Sequence, residues 1–151
     1  MNINNRQRAI KLKRTFFVVS VLLAVAALIL FLLSHTYVAL SVIGVFSLWY
    51  LYFMIADYQF IDFNTERGMI RLRYYKAVSF GGTTHNEIEF PQQIMKKAVF
   101  ENSFFGRNTD LTIFVRTQKG IAEYPSVSLT ALTKNERDRI ADLFNSVAAN
   151  N

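Results

Sequence analysis

The chain of 151 residues contains no cysteine, 2 prolines and 6 glycines. Without cysteine there is no disulfide framework, no thiolate metal site and no thiol nucleophile. So few prolines and glycines, beside an aromatic share of 15%, exclude a disordered or low-complexity chain. The most telling absence is charge: from Thr15 to Ala56 there is no Asp, Glu, Lys or Arg, although the whole chain carries a formal +6. That gap sets the broad class as a membrane protein, and the length leaves room for little more than one folded domain beside the apolar part.

Two runs fill the gap. Residues 15–33 are apolar except for Thr15 and Ser20, and at 1.5 Å per helical residue they cover about 28 Å, close to a hydrocarbon core of about 30 Å. Residues 37–56 form a second run of spanning length, relieved by Ser41, Gly44 and Ser47. Ser34, His35 and Thr36 between them are too few to recross a headgroup region, so the spacing predicts an antiparallel transmembrane hairpin. Helices of a soluble bundle carry a polar stripe, which both runs lack. A signal peptide fits poorly, because no small-x-small cleavage site precedes Ser34 and a second apolar run follows at once.

Orientation follows from Arg6, Arg8, Lys11, Lys13 and Arg14. Five basic residues with no acidic one in the 1–14 tail keep the N-terminus cytoplasmic, and two crossings return residues 57–151 to the same side. The tail also suits anionic headgroups, whereas nucleic acid is not an expected partner. The 57–151 segment is nearly balanced, with 12 basic and 11 acidic residues. Tyr37 suits the outer interfacial belt, and Trp49, Tyr50, Tyr52 and Phe53 suit the inner one. Ser41, Gly44 and Ser47 recur every third residue, which allows close helix packing, most simply against the first helix of the same hairpin. A homo-oligomer or another membrane protein would use the same surface.

The 95 residues that follow are enough for one small domain. In 69–74, Ile70, Leu72 and Tyr74 alternate with Met69, Arg71 and Arg73, and Thr65-Glu66-Arg67-Gly68 before it reads as a hairpin turn. Further strands are expected around 58–64, 78–80, 87–90, 95–101, 111–117 and from Ile121 toward Ser128, six or seven in all. Thr133-Lys134-Asn135-Glu136 fits a capping box, and Ile140, Leu143, Phe144 and Val147 follow at helical spacing. The result is an α+β arrangement whose last helix covers an open side of a curved sheet.

This order of elements resembles bacterial pleckstrin-homology-like domains tethered by an N-terminal two-helix membrane hairpin. The resemblance is carried by the hairpin of 60–64 and 68–73, by Glu89-Phe90-Pro91-Gln92-Gln93-Ile94, by 99–107, by 111–117 and by the closing helix. It implies a strongly bent seven-stranded antiparallel sandwich or partial barrel capped by that helix, at the cytoplasmic face of a bacterial inner membrane, without catalytic activity or cofactor. Eukaryotic relatives often grip phosphoinositides through a lysine on the first strand and a basic-x-Arg on the second. Arg71-Leu72-Arg73 matches the second element, but 58–64 contains no lysine. Arg71, Arg73 and Lys76 are therefore the candidate headgroup-binding residues.

Catalysis finds little support, since His35 and His85 have no carboxylate or second histidine at ligand spacing. Gly81-Gly82-Thr83-Thr84 lacks the Gly-Lys-Ser/Thr of a phosphate loop and reads as a strand connection. Glu87 and Glu89 alternate on a solvent face. Phe104 and Phe105, with Arg107, are adjacent in an expected loop and are the candidate contact with a partner or the membrane. Two functions follow as expectations: a non-catalytic membrane-anchored module that binds a lipid headgroup or a protein or peptide, or an accessory subunit held in a larger membrane complex by its hairpin.

Overall fold

The computed structural model describes residues 1–79, 82, 84–103, 106 and 108–150. It is an α+β structure of two long apolar helices, two antiparallel sheets and a C-terminal helix. β1 (Asn2–Asn4) leads through Asn5 into α1 (Arg6–Leu32), and α2 (Thr36–Ala56) returns alongside it. Each helix is long and apolar enough to cross a membrane. Their seam is narrow, with Ala27 and Ala39 buried along it and Phe16 against Phe53 at 5.0 Å between ring centroids. Most large side chains of both helices point outward, among them Leu22, Leu28, Leu32, Leu40, Leu48 and Met54.

Chain reversal from α2 into β2 (Gln59–Glu66) is made by Asp57, which adopts the left-handed conformation at φ 40°. β2 turns into β3 (Met69–Lys76) through Arg67 and Gly68, both at positive φ, a two-residue hairpin loop of the kind whose twist matches the strands. Glycine at position 68 makes this turn easy, as expected. β4 (Asn86–Pro91) completes the first sheet, in the order β1-β2-β3-β4. A short 3-10 turn, Gln92–Ile94, leads to β5 (Met95–Ser103), β6 (Asn108–Thr117) and β7 (Gly120–Glu123). β8 (Val127–Ser128) pairs with the start of β6.

Eight strands are thus present among the described residues, in two separate four-stranded sheets that do not close on each other. The extra strands have clear causes. Asn2-Ile3-Asn4 is too short to show a period, yet it pairs with Asp62, Phe63 and Asn64 of β2. The expected last strand is divided because Pro125 lies between β7 and β8 and cannot donate to a ladder. Val78 and Ser79 are not in a strand, and Phe80 lies outside the described residues.

The core lies between the sheets. Ile61, Phe63, Ile70, Leu72 and Phe90 meet Met95, Leu111 and Ile113 from the other sheet, all essentially inaccessible. α3 (Lys134–Ala149) closes one side, inserting Ile140 and Phe144 while Leu143 and Val147 pack partly buried. Its start is fixed by the capping box: Thr133 Oγ1 accepts from the Glu136 amide and Glu136 Oε2 accepts from the Thr133 amide. A second small cluster forms on the outer face of the first sheet, where Ala9 of α1 packs against Phe60 and Ala77.

Candidate functional site at the hairpin base

Residues 1–14, read as a tail, are structured. β1 adds a strand to the sheet and α1 begins at Arg6, so the basic cluster occupies the first turns of a helix anchored to the sheet. The apolar hairpin is therefore inserted between two adjacent hydrogen-bonded strands, β1 and β2, whose ends it joins.

Four contacts hold this base. Asn5 is 2% exposed; its side chain donates to the Gln59 carbonyl at 3.0 Å and accepts from the Ile61 amide at 2.7 Å. An asparagine just before a helix normally caps it. Here that side chain is spent on β2, and Asn4 Oδ1 takes the Arg6 amide instead at 2.8 Å. Arg8 reaches across to α3, donating to both carboxylate oxygens of Glu136 at 2.6 and 2.9 Å and to the Ala131 carbonyl at 3.3 Å. Asn108, at the start of β6, donates to the Ile55 carbonyl in the last turn of α2 at 3.0 Å. Tyr52 and Tyr58 share a hydroxyl hydrogen bond of 3.0 Å, beside Phe53.

Glu136 is the most perturbed acid of this group. The Arg8 hydrogen bonds pull its pKa down to about 2 with help from the Thr133 amide and hydroxyl, and burial opposes them. A carboxylate whose pKa is lowered by folding contributes stability that is complete above its unfolded value near 4.3 and disappears as pH falls toward 2. Glu136→Gln keeps the capping box but removes the charge pair. Because Arg8 is 42% exposed, the expected loss at pH 7 is small for so close a pair, about 1 kcal/mol. Thermal midpoints of the detergent-solubilised protein between pH 7 and pH 2.5 should show it: the variant starts lower, and the gap to wild type closes on acidification. A constant gap would assign Glu136 a role in packing alone.

Arg71 and Arg73 stand on the outer face of β3, directly opposite Glu89 and Glu87 of β4 in the strand register. Arg71 lies 3.1 Å from Glu89 and 3.2 Å from Glu87, and Arg73 lies 3.1 Å from Glu87. The two arginines and two glutamates form a compensated ladder, so an incoming phosphate there has to displace carboxylates. The pairing was not legible in the sequence, because it needs the β3–β4 register. Lys76 is half apart from the ladder: it pairs with Asp57 at 3.4 Å, and its side chain remains 63% exposed.

Phe104, Phe105 and Arg107 lie outside the described residues. Their flanks are fixed, with Thr109 Oγ1 donating to Asn102 Oδ1 at 2.8 Å and accepting from Arg137 at 2.6 Å. Asn108 touches α2. Ser41, Gly44 and Ser47 do not form the α1–α2 seam. All three are exposed, a Cβ at Gly44 would meet nothing within 4 Å, and both serine hydroxyls are satisfied by the carbonyl one turn earlier, Tyr37 and Ile43. The small residues buried at the seam are Ala27 and Ala39 instead.

Beside the first turns of α1 a cleft opens, lined by Lys13, Lys76, Ser79 and His85 above Ala9 and Ala77. His85 is held against Tyr75 at 4.7 Å, and Tyr75 is stacked on Phe60 at 4.5 Å. Sequence reasoning did not join these residues, because they come from α1, the end of β3 and the connection after it. Among the described residues no group of three or more His, Cys, Asp or Glu side chains is arranged to hold a metal ion. No family model, curated protein or solved structure matches the chain.

Proposed function

We propose that the chain is a membrane-anchored, non-catalytic interaction module. In this reading α1 and α2 span the inner membrane of a bacterium, both chain termini are cytoplasmic, and the domain is pleckstrin-homology-like and presents a fixed surface at the inner face to a lipid headgroup or a protein or peptide. The observation that carries it is the mounting: β1 and β2 are paired in register at the two ends of the hairpin, and Asn5, Arg8 and Asn108 tie the base to three parts of the domain. A domain held in this way keeps one face toward the plane from which the apolar helices emerge. Paired ends also require both hairpin termini on one side, in agreement with the basic cluster at 6–14. The two open sheets followed by a capping helix support the pleckstrin-homology-like assignment.

Native mass spectrometry of the full chain, extracted from its own membranes in mild detergent, tests this reading. Monomers or homo-oligomers of the 17.4 kDa chain with retained anionic lipid or a bound protein are expected. Bare particles with neither would overturn it.

One observation favours the accessory-subunit reading as a second possibility. Ser41, Gly44 and Ser47 leave a small-residue face on α2 that α1 does not cover. Gly44→Leu is then expected to release a co-purifying membrane subunit while leaving the hairpin intact, since the seam lies elsewhere. Unchanged co-purification removes α2 from that interface.

A further inference from the structure

The candidate headgroup residues divide into two groups by their surroundings. Arg71 and Arg73 are matched one to one by Glu89 and Glu87, whereas the cleft beside α1 gathers cations and, among the described residues that line it, no carboxylate. We infer that this cleft, between Lys13, Lys76 and His85, holds the phosphate of an anionic phospholipid.

Three observations converge on it. The first is level along the chain. Lys13 is two residues before Thr15, where the uncharged run begins, so the cleft opens within about 3 Å, along the helix axis, of the first apolar turn. With the hairpin in a bilayer, as the proposed function has it and on which this inference rests, that is the depth of the lipid phosphates.

The second is donor chemistry. Lys13 has no ion-pair or hydrogen-bond partner among the described residues. Lys76 is shared with one partly exposed carboxylate, Asp57, at 3.4 Å, and its side chain stays 63% exposed. Imidazole offers an N–H donor in either protonation state. Ser79 Oγ, already donating to the Gly82 carbonyl at 2.8 Å, keeps lone pairs only and serves as wall rather than donor. The cleft lining therefore offers two ammonium groups and one imidazole from separate elements, a donor set that suits an anionic phosphate better than a neutral headgroup.

The third is pre-organisation. His85 is braced against Tyr75, Tyr75 is stacked on Phe60, and the buried Ala9 and Ala77 form the floor, so the ring donor is carried on an ordered stack while Lys13 and Lys76 remain exposed. The side-chain freedom that His85 loses on binding is correspondingly reduced.

The test uses the full chain in mild detergent, offered equal amounts of phosphatidylglycerol and phosphatidylcholine and read by native mass spectrometry. Wild type is expected to retain phosphatidylglycerol preferentially. Lys13→Gln and His85→Ala should each lower that preference about fivefold, the weight of one cation or donor at a lipid surface, and Lys13→Arg should restore it. Arg71→Gln should leave it unchanged. Excess inorganic phosphate separates the two sources of the same chemistry: continued lipid retention supports a lipid headgroup, and displacement by phosphate overturns it in favour of a soluble anion. Wild-type preference with no effect of Lys13→Gln or His85→Ala overturns the cleft while sparing a lipid-binding module. Loss on Arg71→Gln alone returns the site to the β3–β4 ladder and overturns the cleft as well. Absence of any anionic preference in wild type removes the cleft and the lipid form of the proposed function together.

Discussion

Phe144→Ala is expected to destabilise the sheet domain by about 3–5 kcal/mol, the usual range for deleting a fully buried aromatic ring. Phe144 is 0% exposed and lies 5.8 Å from Phe63 of the first sheet and 6.3 Å from Phe100 of the second, so it bridges both layers. Truncation leaves a cavity that neither sheet can fill, because the flanking Ile140 is itself fixed at zero exposure on α3. A domain of this size has a total stability of roughly 5–15 kcal/mol, so the loss takes a large part of it. Thermal melts of the solubilised chain, followed by the strand signal in far-ultraviolet circular dichroism, should show a single transition moved down by more than about 10 °C. Phe144→Leu, which keeps most of the volume, should recover more than half. A melt unmoved by the alanine variant would mean that α3 covers the core less tightly than the contacts with Phe63 and Phe100 require.

Asn5→Ala carries the second large effect, through hydrogen bonds rather than volume. The Gln59 carbonyl and the Ile61 amide both turn to the Asn5 side chain, and at 2% exposure water has no easy access to replace it. Two orphaned backbone groups cost about 2–4 kcal/mol together. The loss should be local. Hydrogen–deuterium exchange of the solubilised full chain is expected to speed up at Ile61 and along β1 and β2, with α3 amides little changed. Asn5→Asp keeps the acceptor for Ile61 but loses the donor to Gln59 and buries a charge, so it should not rescue the exchange. Unchanged protection at Ile61 would show that β1 and β2 hold together without the asparagine.

The same two residues mark the limit of sequence reading. Phe144 was legible: it falls at i+4 from Ile140 behind a Thr133–Glu136 capping box, and local periodicity decides such a helix before any tertiary contact. Asn5 was not, since an asparagine before a helix reads as a cap, and its use as a strand partner depends on β2, more than fifty residues away. The β2–β3 hairpin was visible from alternation and the turn glycine Gly68, while the carboxylates facing Arg71 and Arg73 required the β3–β4 register. The small residues Ser41, Gly44 and Ser47 signalled close packing, but which of two helix faces meets α1 depends on helix rotation, which an apolar run without a polar stripe does not encode.

The sequence by itself determined the two long apolar helices, the antiparallel strands with the β2–β3 turn, and the amphipathic last helix, because hydrophobic period, charge gaps and caps act within a few residues. The tertiary structure alone decided that residues 2–4 join the sheet, that Arg8 clamps Glu136, that Arg71 and Arg73 are neutralised, and that Lys13, Lys76 and His85 line one cleft. Each of these depends on groups far apart in the chain, whose meeting is set by strand pairing and by the burial of the shared core rather than by any local pattern.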